Sequence, residues 1–199
     1  SSAYAVEFTT GLNAALVADS RVGAGGVEAT EVADLAIVRT VVDRSFGPAI
    51  DLESTARATV AAVTITDVRV SETTAGVGVR VRGDATATTI TDTTIRGVPG
   101  TGVVLASDGT LVRNVTVTET RETSVGRDPQ PPTADGDAVL VNGSDDAQFV
   151  ETRLENVTVT GTDGSALDVT DVEDLTFTDG SVRDTNETAF RVRESGGVA

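Results

Sequence analysis

The stretch Gly102-Val103-Val104-Leu105 decides the fold, because the same block, a small residue followed by apolar–any–apolar, recurs along the chain. The first apolar positions of successive copies lie 21 to 36 residues apart. A recurrence of about 20–50 residues is typical of repeat architectures. The eight copies are Ala5-Val6-Glu7-Phe8, Gly26-Val27-Glu28-Ala29, Ala49-Ile50-Asp51-Leu52, Gly78-Val79-Arg80-Val81, Gly102-Val103-Val104-Leu105, Ala138-Val139-Leu140-Val141, Ala166-Leu167-Asp168-Val169 and Ala189-Phe190-Arg191-Val192.

Two further apolar segments lie between successive copies of this block. One is an apolar pair around a central residue, as in Val115-Thr116-Val117, and the other follows five residues later in several copies, as in Phe177→Val182. Because residues i and i+2 of a strand share a face, each unit is predicted to hold about three short strands. We predict two inward columns of stacked side chains, one of Ile50, Val79, Val103, Val139, Leu167 and Phe190, and one of Ile65, Ile90, Val117, Val159 and Phe177.

Two other folds compete with a stack of parallel strands. Helix is disfavoured because Val, Ile and Thr dominate the apolar segments, and branching at Cβ favours strands. An antiparallel sandwich gives no reason for one three-strand unit to recur in the same order, whereas a solenoid does, because each turn buries its inward residues against the next. We therefore predict an all-β parallel solenoid of about seven turns in a single domain, residues 1–199, with a long inserted loop at residues 120–137.

The composition is acidic and lacks several residue types, among them Lys, His and Cys. Asp and Glu number 31 against 15 basic residues, all of them Arg, so the net charge is −16. The absence of Cys excludes a disulfide scaffold, a thiolate metal site and a Cys nucleophile. An acidic surface repels nucleic acid and anionic lipid, and no apolar stretch reaches about 18 residues. We therefore expect neither nucleic-acid binding nor membrane insertion of this segment.

The charge pattern resembles that of haloarchaeal proteins, because it combines many carboxylates with Arg and no Lys. Haloarchaea live in near-saturated salt, and already at 1 M the Debye length is about 3 Å, which screens self-repulsion. The resemblance implies a protein adapted to high salt.

The repeat blocks also carry a resemblance in fold, typified by Ala138-Val139-Leu140-Val141 followed by Glu155-Asn156-Val157-Thr158-Val159-Thr160. They resemble the right-handed parallel β-helix superfamily, in particular its NosD-like and carbohydrate-binding/sugar-hydrolase repeats. The resemblance covers nearly the whole chain and implies a single-stranded right-handed parallel β-helix. That superfamily includes polysaccharide lyases, pectin hydrolases, viral tailspikes, adhesins and surface spacers, so the fold does not select a function.

Four of the five asparagines, Asn114, Asn142, Asn156 and Asn186, open an Asn-x-Ser/Thr sequon. One interpretation is N-glycosylation of an exported protein. The other is structural, because Asn114 and Asn156 hold the same position in consecutive units and their side chains are predicted to stack at a left-handed corner. We therefore expect glycan on Asn142 or Asn186 before the stacked pair.

The inserted loop supplies the candidate binding residues. Insertions in solenoids lie on one face, often the binding face, and this one contains Arg127, Asp128, Asp135 and Asp137. A tolerated surface loop is the alternative, since lengthening a loop costs little. Asp-Gly turns leave Ca²⁺ binding open, although such pairs are ordinary turn sequences. We expect no cofactor.

Catalytic residues are not predicted. With 31 acidic residues, carboxylate pairs are common, and the His and Lys that accompany paired Asp in pectin hydrolases are absent. Arg80, Arg82, Arg191 and Arg193 are predicted to point outward from the first strands and to balance acidic neighbours. Enzymatic activity stays open but disfavoured.

We expect a non-enzymatic structural or adhesive surface module of a halophilic archaeon or its virus, as a cell-surface, filament or spike component. The repeat is under way at Ala5 and a unit opens at Ala189, so we expect a segment of a longer protein. Open β-helix ends expose unpaired strands, and we expect flanking segments or a partner protein to cover them. The alternative, a carbohydrate-active enzyme or sugar-binding domain, predicts a groove lined by Asp, Arg and aromatic rings, of which the chain has six.

Overall fold

The computed structural model describes residues 4–70, 75–123, 135–143 and 151–193. Within these ranges all regular secondary structure is β-strand, in 21 strands, and every strand pair is parallel. No helix in the described ranges is long and apolar enough to cross a lipid bilayer. The all-β prediction is confirmed for this part of the chain.

The strands form three ladders, A, B and C, which the chain visits in turn. Ladder A pairs β1 (Val6–Phe8), β4 (Val27–Thr30), β7 (Pro48–Glu53), β10 (Gly76–Arg82), β12 (Thr94–Leu105), β15 (Val139–Asn142), β18 (Leu167–Thr170) and β21 (Phe190–Arg193). Ladder B pairs β2 (Ala14–Ala18), β5 (Asp34–Val38), β8 (Arg57–Ala61), β11 (Thr89–Thr91), β13 (Leu111–Arg113), β16 (Arg153–Glu155) and β19 (Thr176–Thr178).

Ladder C pairs β3 (Arg21–Gly23), β6 (Val41–Asp43), β9 (Thr64–Thr66), the first half of β12, β14 (Thr116–Arg121), β17 (Thr158–Thr162) and β20 (Ser181–Thr185). The long strand β12 therefore belongs to ladder C at residues 94–99 and to ladder A at residues 100–105, which joins these two ladders into one 14-stranded sheet. Strand β14 also corrects the predicted inserted loop, because Thr120 and Arg121 belong to the strand.

The first predicted column is confirmed. Register places the first apolar residue of all eight blocks on successive strands of ladder A, from Val6 and Val27 to Leu167 and Phe190. Most of these side chains are fully buried in the main core, which is built almost entirely from Val, Ile, Leu and Ala. The repeated block therefore marks one ladder of the structure.

The second predicted column is wrong, because its members belong to two different ladders. Ile90 and Phe177 lie in ladder B, whereas Ile65, Val117 and Val159 lie in ladder C. Strands of both ladders share an apolar–Thr pattern, so the pattern alone does not separate them. The true columns are Val17, Ile37, Val60, Ile90, Val112, Leu154 and Phe177 in ladder B, and Val22, Val42, Ile65, Ile95, Val117, Val159 and Val182 in ladder C.

The outer faces of the ladders, turned away from the main core, differ in exposure. On ladder B, Leu16 is 64% exposed. On ladder A, the outward residues Val104 and Leu140 are buried in a second apolar cluster with Val77, separate from the main core. The middle of ladder A is therefore withdrawn from solvent on both faces.

Candidate functional site

The outer face of ladder A is the candidate functional site, because it is buried and carries carboxylates. In β7 the alternation of a strand turns Ile50 and Leu52 into the main core and leaves Asp51 on the outer face. Register aligns one outward residue of each neighbouring strand with Asp51. The outer column runs Glu7, Glu28, Asp51, Arg80, Val104, Leu140, Asp168 and Arg191. Its middle is apolar, and an ion cluster lies on each side.

The first ion cluster surrounds Asp51, whose side chain is 1% exposed. Arg80 donates to both carboxylate oxygens, at 2.9 and 2.6 Å, and Arg82 lies 3.4 Å away while also pairing with Glu53 at 2.8 Å. The hydroxyl of Tyr4 donates to Asp51 Oδ2 at 3.2 Å. Burial raises the pKa of Asp51, but the bonds and charges of the two arginines outweigh it, so the pKa lies below its usual value. Asp51 is therefore a fully partnered carboxylate.

The second ion cluster repeats this arrangement around Asp168, whose side chain is 2% exposed. Arg191 and Arg193 donate to Asp168 Oδ2 at 3.2 and 2.8 Å, and Arg191 also pairs with Glu187. The prediction that these outward arginines balance acidic neighbours is confirmed, as it is for Arg80 and Arg82. In both clusters an Asp of one strand meets an Arg-x-Arg pair of the next.

A further carboxylate, Asp137, makes the second cluster different from the first. Asp137 lies just before β15, is fully buried, and accepts the backbone N–H of Ser165 on Oδ1 at 2.6 Å. Its Oδ2 atom and the Oδ1 atom of Asp168 are buried without a hydrogen-bond partner. Burial, together with the charges of Asp168 and Asp135, raises the pKa of Asp137 to about 6 despite Ser165 and Arg191. Asp137 is therefore a buried carboxyl group that holds its proton more tightly than an ordinary aspartate.

The four residues predicted to form the loop face differ in position and burial. Arg127 and Asp128 lie outside the described residues. Asp135 is half-buried, and Asp137 is buried within ladder A instead of lying on an open face. The described ranges hold no group of three or more Asp or Glu side chains arranged to bind a metal ion.

Asn114 and Asn156 form the predicted ladder. Asn156 Nδ2 donates to Asn114 Oδ1 at 2.9 Å, and Asn114 Nδ2 donates to Asp92 Oδ1 at the same distance. Both asparagines have the predicted left-handed backbone, with φ of 53° and 52°. Each asparagine directly follows a strand of ladder B, at the corner where the chain turns from ladder B to ladder C. The stacking prediction is therefore confirmed, and it engages both side-chain amides.

The other two sequon asparagines differ in accessibility. Asn186 is exposed, but its Nδ2 donates to Asp163 Oδ1 at 2.9 Å. Asn142 is half-buried at the end of β15, and its side chain has no hydrogen bond to a described residue. A glycosyl transfer needs a free amide nitrogen, so three of the four sites require a bond to break first.

We expect Asn142 to carry glycan before the other three sequons, because its amide nitrogen alone is free of a hydrogen bond within the described residues. Glycopeptide mass spectrometry of protein from the native host measures occupancy at each site. Asn114 is the matched control, since its sequon is also Asn-x-Thr/Ser but its amide is tied into the ladder. Occupancy of Asn114 above that of Asn142 would contradict this order.

The arginine side chains mainly form ion pairs between neighbouring strands, and these interstrand ion pairs are called struts below. Of twelve ion pairs between described residues, all but Arg44–Asp43 and Arg191–Glu187 join successive levels of the ladders. Arg57–Asp34 is an exposed example, with bonds of 2.6 and 2.7 Å. The sequence predicts acidic neighbours for Arg80, Arg82, Arg191 and Arg193 but does not identify which carboxylates they bind.

A groove of about 230 Å³ lies on the outer face of ladder B, between β13 and β16. Arg113, Arg153, Glu151 and Glu155 line it, and Arg113 pairs with Glu155 at 2.7 Å.

No protein-family model matches the chain, and no curated protein is similar to it in sequence.

Proposed function

We propose that the chain is a single-stranded right-handed parallel β-helix of about seven turns. The support is the order in which the chain visits ladders A, B and C, returning to A in register seven times after β1. Stacked parallel strands of this kind lie about 4.8 Å apart, so about seven turns make a stack on the order of 34 Å tall. An experimental structure in which the ladders pair antiparallel or wind left-handed would contradict this proposal.

We propose that this β-helix serves as a non-enzymatic structural or adhesive module. The observation that carries the proposal is that most arginines already bind carboxylates of the protein itself. Ten of the fifteen arginines make ion pairs, mostly between successive turns. Such arginines hold successive turns together. A guanidinium that already pairs with a carboxylate is poorly placed to bind an anionic substrate. A braced stack suits projection or assembly.

The proposed location is the surface of a halophilic archaeon or its virus. The excess of carboxylates, the lack of Lys and the four sequons support it. Immunogold labelling of intact cells and purified virus particles tests it, since amine-reactive surface reagents have no Lys to modify. We expect label on intact envelopes. Label that appears only after lysis would contradict a surface role.

One end of the stack supports a docking role. In β21, the last described strand of ladder A, Phe190 and Val192 align with inward residues of β18, yet they are 47% and 48% exposed. The ring of Phe190 meets that of Phe177 edge-on, with centroids 5.2 Å apart. We propose that a partner protein or another segment of the same protein packs on this apolar end.

High salt is expected to raise the melting temperature. The net charge of −16 repels itself along a thin stack, and raising salt from 0.1 to 1 M shortens the Debye length from about 10 to about 3 Å. The exposed struts oppose this trend, because salt also weakens attraction, but exposed pairs contribute little. Thermal melts across a KCl series measure the balance.

Sucrose at matched osmolality is the control for the salt series, because it favours burial without screening charge. A melting temperature that rises equally in sucrose, or that stays flat in KCl, would contradict a charge-screening origin.

A second candidate function is carbohydrate recognition or cleavage. The observation that favours it is that Asp137, beside β15, and Asp168, in β18, each have a buried carboxylate oxygen without a hydrogen-bond partner. Their burial opposes it, since a sugar must reach the carboxylates. Binding to a glycan array that is lost in Asp168→Asn would favour this function over the structural one.

A further inference from the structure

The outer face of ladder B carries little charge, although the net charge of the chain is −16. Its outward residues form two columns, one on each side of the buried column. One column runs Leu16, Ala36, Thr59, Thr89, Leu111, Arg153 and Thr176, and the other runs Ala18, Val38, Ala61, Thr91, Arg113, Glu155 and Thr178. Counting levels from β2 to β19, the first four levels of both columns hold only Leu, Val, Ala and Thr. Two copies of an acidic chain repel each other least across such a face.

This face is complementary to itself under a two-fold rotation about an axis parallel to the stack. The rotation lays the face on the same face of a second copy and reverses the strand direction. At every level the first column of one copy then lies opposite the second column of the other. Large residues meet small ones at the first two levels, since Leu16 lies opposite Ala18 of the second copy and Ala36 lies opposite Val38.

The charged sixth level is complementary under the same rotation. Arg153 lies opposite Glu155 of the second copy, and the symmetry makes this pair twice. Arg153 is exposed and makes no ion pair with any residue that the structure describes. Glu155 accepts from Arg113 through Oε2 at 2.7 Å, and a carboxylate has a second oxygen that can accept from Arg153 of the second copy.

The ends of the strands add one favourable and one unfavourable contact. Asp34 begins β5 and Arg39 directly follows that strand, so the rotation places each of them near the other residue of the second copy. At the seventh level the acidic corners Asp174 and Asp179 approach each other across the axis in the same way. Their repulsion, added to that of the two acidic chains, restricts association to solutions of high salt.

The face is large enough for a specific dimer. Seven strands stacked about 4.8 Å apart and about five residues wide cover about 34 by 17 Å, so two copies bury on the order of 1,200 Å². A specific interface needs about 1,000 Å². We propose that the chain forms a two-fold symmetric dimer through the outer face of ladder B. This dimer names a second copy as a partner in the assembly role proposed above, and it rests on that role.

Sedimentation equilibrium of the whole chain over a concentration series measures the association in about 0.1 M and about 1 M KCl. We expect twice the monomer mass at the higher salt. At the lower salt we expect a dissociation constant at least about tenfold larger, because the repulsion between the two chains is less screened.

Two charge reversals and their mixture test the orientation of the dimer. Arg153→Glu and Glu155→Arg each place like charges opposite one another, so each variant alone should raise the dissociation constant about tenfold or more at the higher salt. An equimolar mixture should recover the wild-type value, because each introduced charge then meets its opposite in the mixed dimer. A folding defect in either variant would not be repaired by mixing.

Arg183→Glu is the matched control. Arg183 is an exposed arginine of ladder C that also makes no ion pair with a described residue, and its reversal changes the net charge by the same amount. The control should keep the wild-type dissociation constant. An equal loss of dimer in Arg183→Glu would overturn the proposal, because net charge and not this face would then control association.

A wild-type chain that stays monomeric in about 1 M KCl would overturn the dimer but leave a projecting structural module standing. A mixture of the two reversals that stays monomeric would overturn this face as the interface. Immunogold label found only after lysis would contradict the proposed surface location while the dimer, measured on the purified chain, would remain.

Discussion

Gly26→Ala is expected to destabilise the fold by about 2–5 kcal/mol. Gly26 opens the second block with φ of 72°, where a Cβ is strained. A Cβ there would also collide with the carbonyl oxygen of Ala49 and lie 2.8 Å from that of Pro48, both in the next level of ladder A. These are backbone atoms, so relief requires the two levels to separate. Urea unfolding of the variant and the wild type measures the loss.

Gly11→Ala separates backbone strain from the collision. Gly11 also has a positive φ, 95°, but nothing lies within 4 Å of its Cβ position. Only the strain of a left-handed residue is expected there, about 1–2 kcal/mol. Equal losses in the two variants would contradict the close approach of the second and third levels of the stack.

The requirement for a small residue explains why the repeat was visible in the sequence. In three copies of the block the first residue is Gly and in the other five it is Ala, and at Gly78 and Gly102 an added Cβ would meet side chains of ladder C. The following apolar residue points into the core, and the register repeats it exactly once per level. A steric constraint and a burial constraint coincide in ladder A, so its column could be predicted.

Ladders B and C could not be separated because only burial constrains them. Ile90 in ladder B and Ile95 in ladder C each directly follow a Thr-Thr pair, and both are completely buried. Which segment belongs to which ladder depends on the number of residues at each corner. That number varies between units, as the 21- to 36-residue spacing of the blocks indicates. The sequence therefore predicts one mixed column where the structure has two separate columns.

The candidate site was predicted less well than the fold. Asp137 was selected because it lies near a proline-rich loop, but its burial follows from a strand and a neighbouring backbone that the loop argument did not place. Asp51 and Asp168 were not selected at all, because among 31 acidic residues nothing local distinguishes them. Their distinguishing feature is the register, which brings an Arg-x-Arg pair of the next strand over each of them.

Asp51→Ala is expected to destabilise the fold by about 2–4 kcal/mol, through the loss of a buried counter-charge. Removing the carboxylate leaves Arg80, whose side chain is 24% exposed, without its bidentate partner, and frees Arg82 and Tyr4 as well. Partial exposure of Arg80 and Arg82 lets water recover some of the loss, which places the value below that of a fully buried pair. Urea unfolding near neutral pH measures it.

Asp34→Ala is the matched control, since Asp34 binds Arg57 with the same bidentate geometry across successive strands of ladder B. The side chains of Arg57 and Asp34 are 63% and 51% exposed, so water and salt replace the lost partner and stability should barely change. Of two struts with equal geometry, only the one on the buried face of ladder A is then essential. Equal losses would mean that burial of that face does not strengthen the Asp51 cluster, and the two faces would be energetically alike.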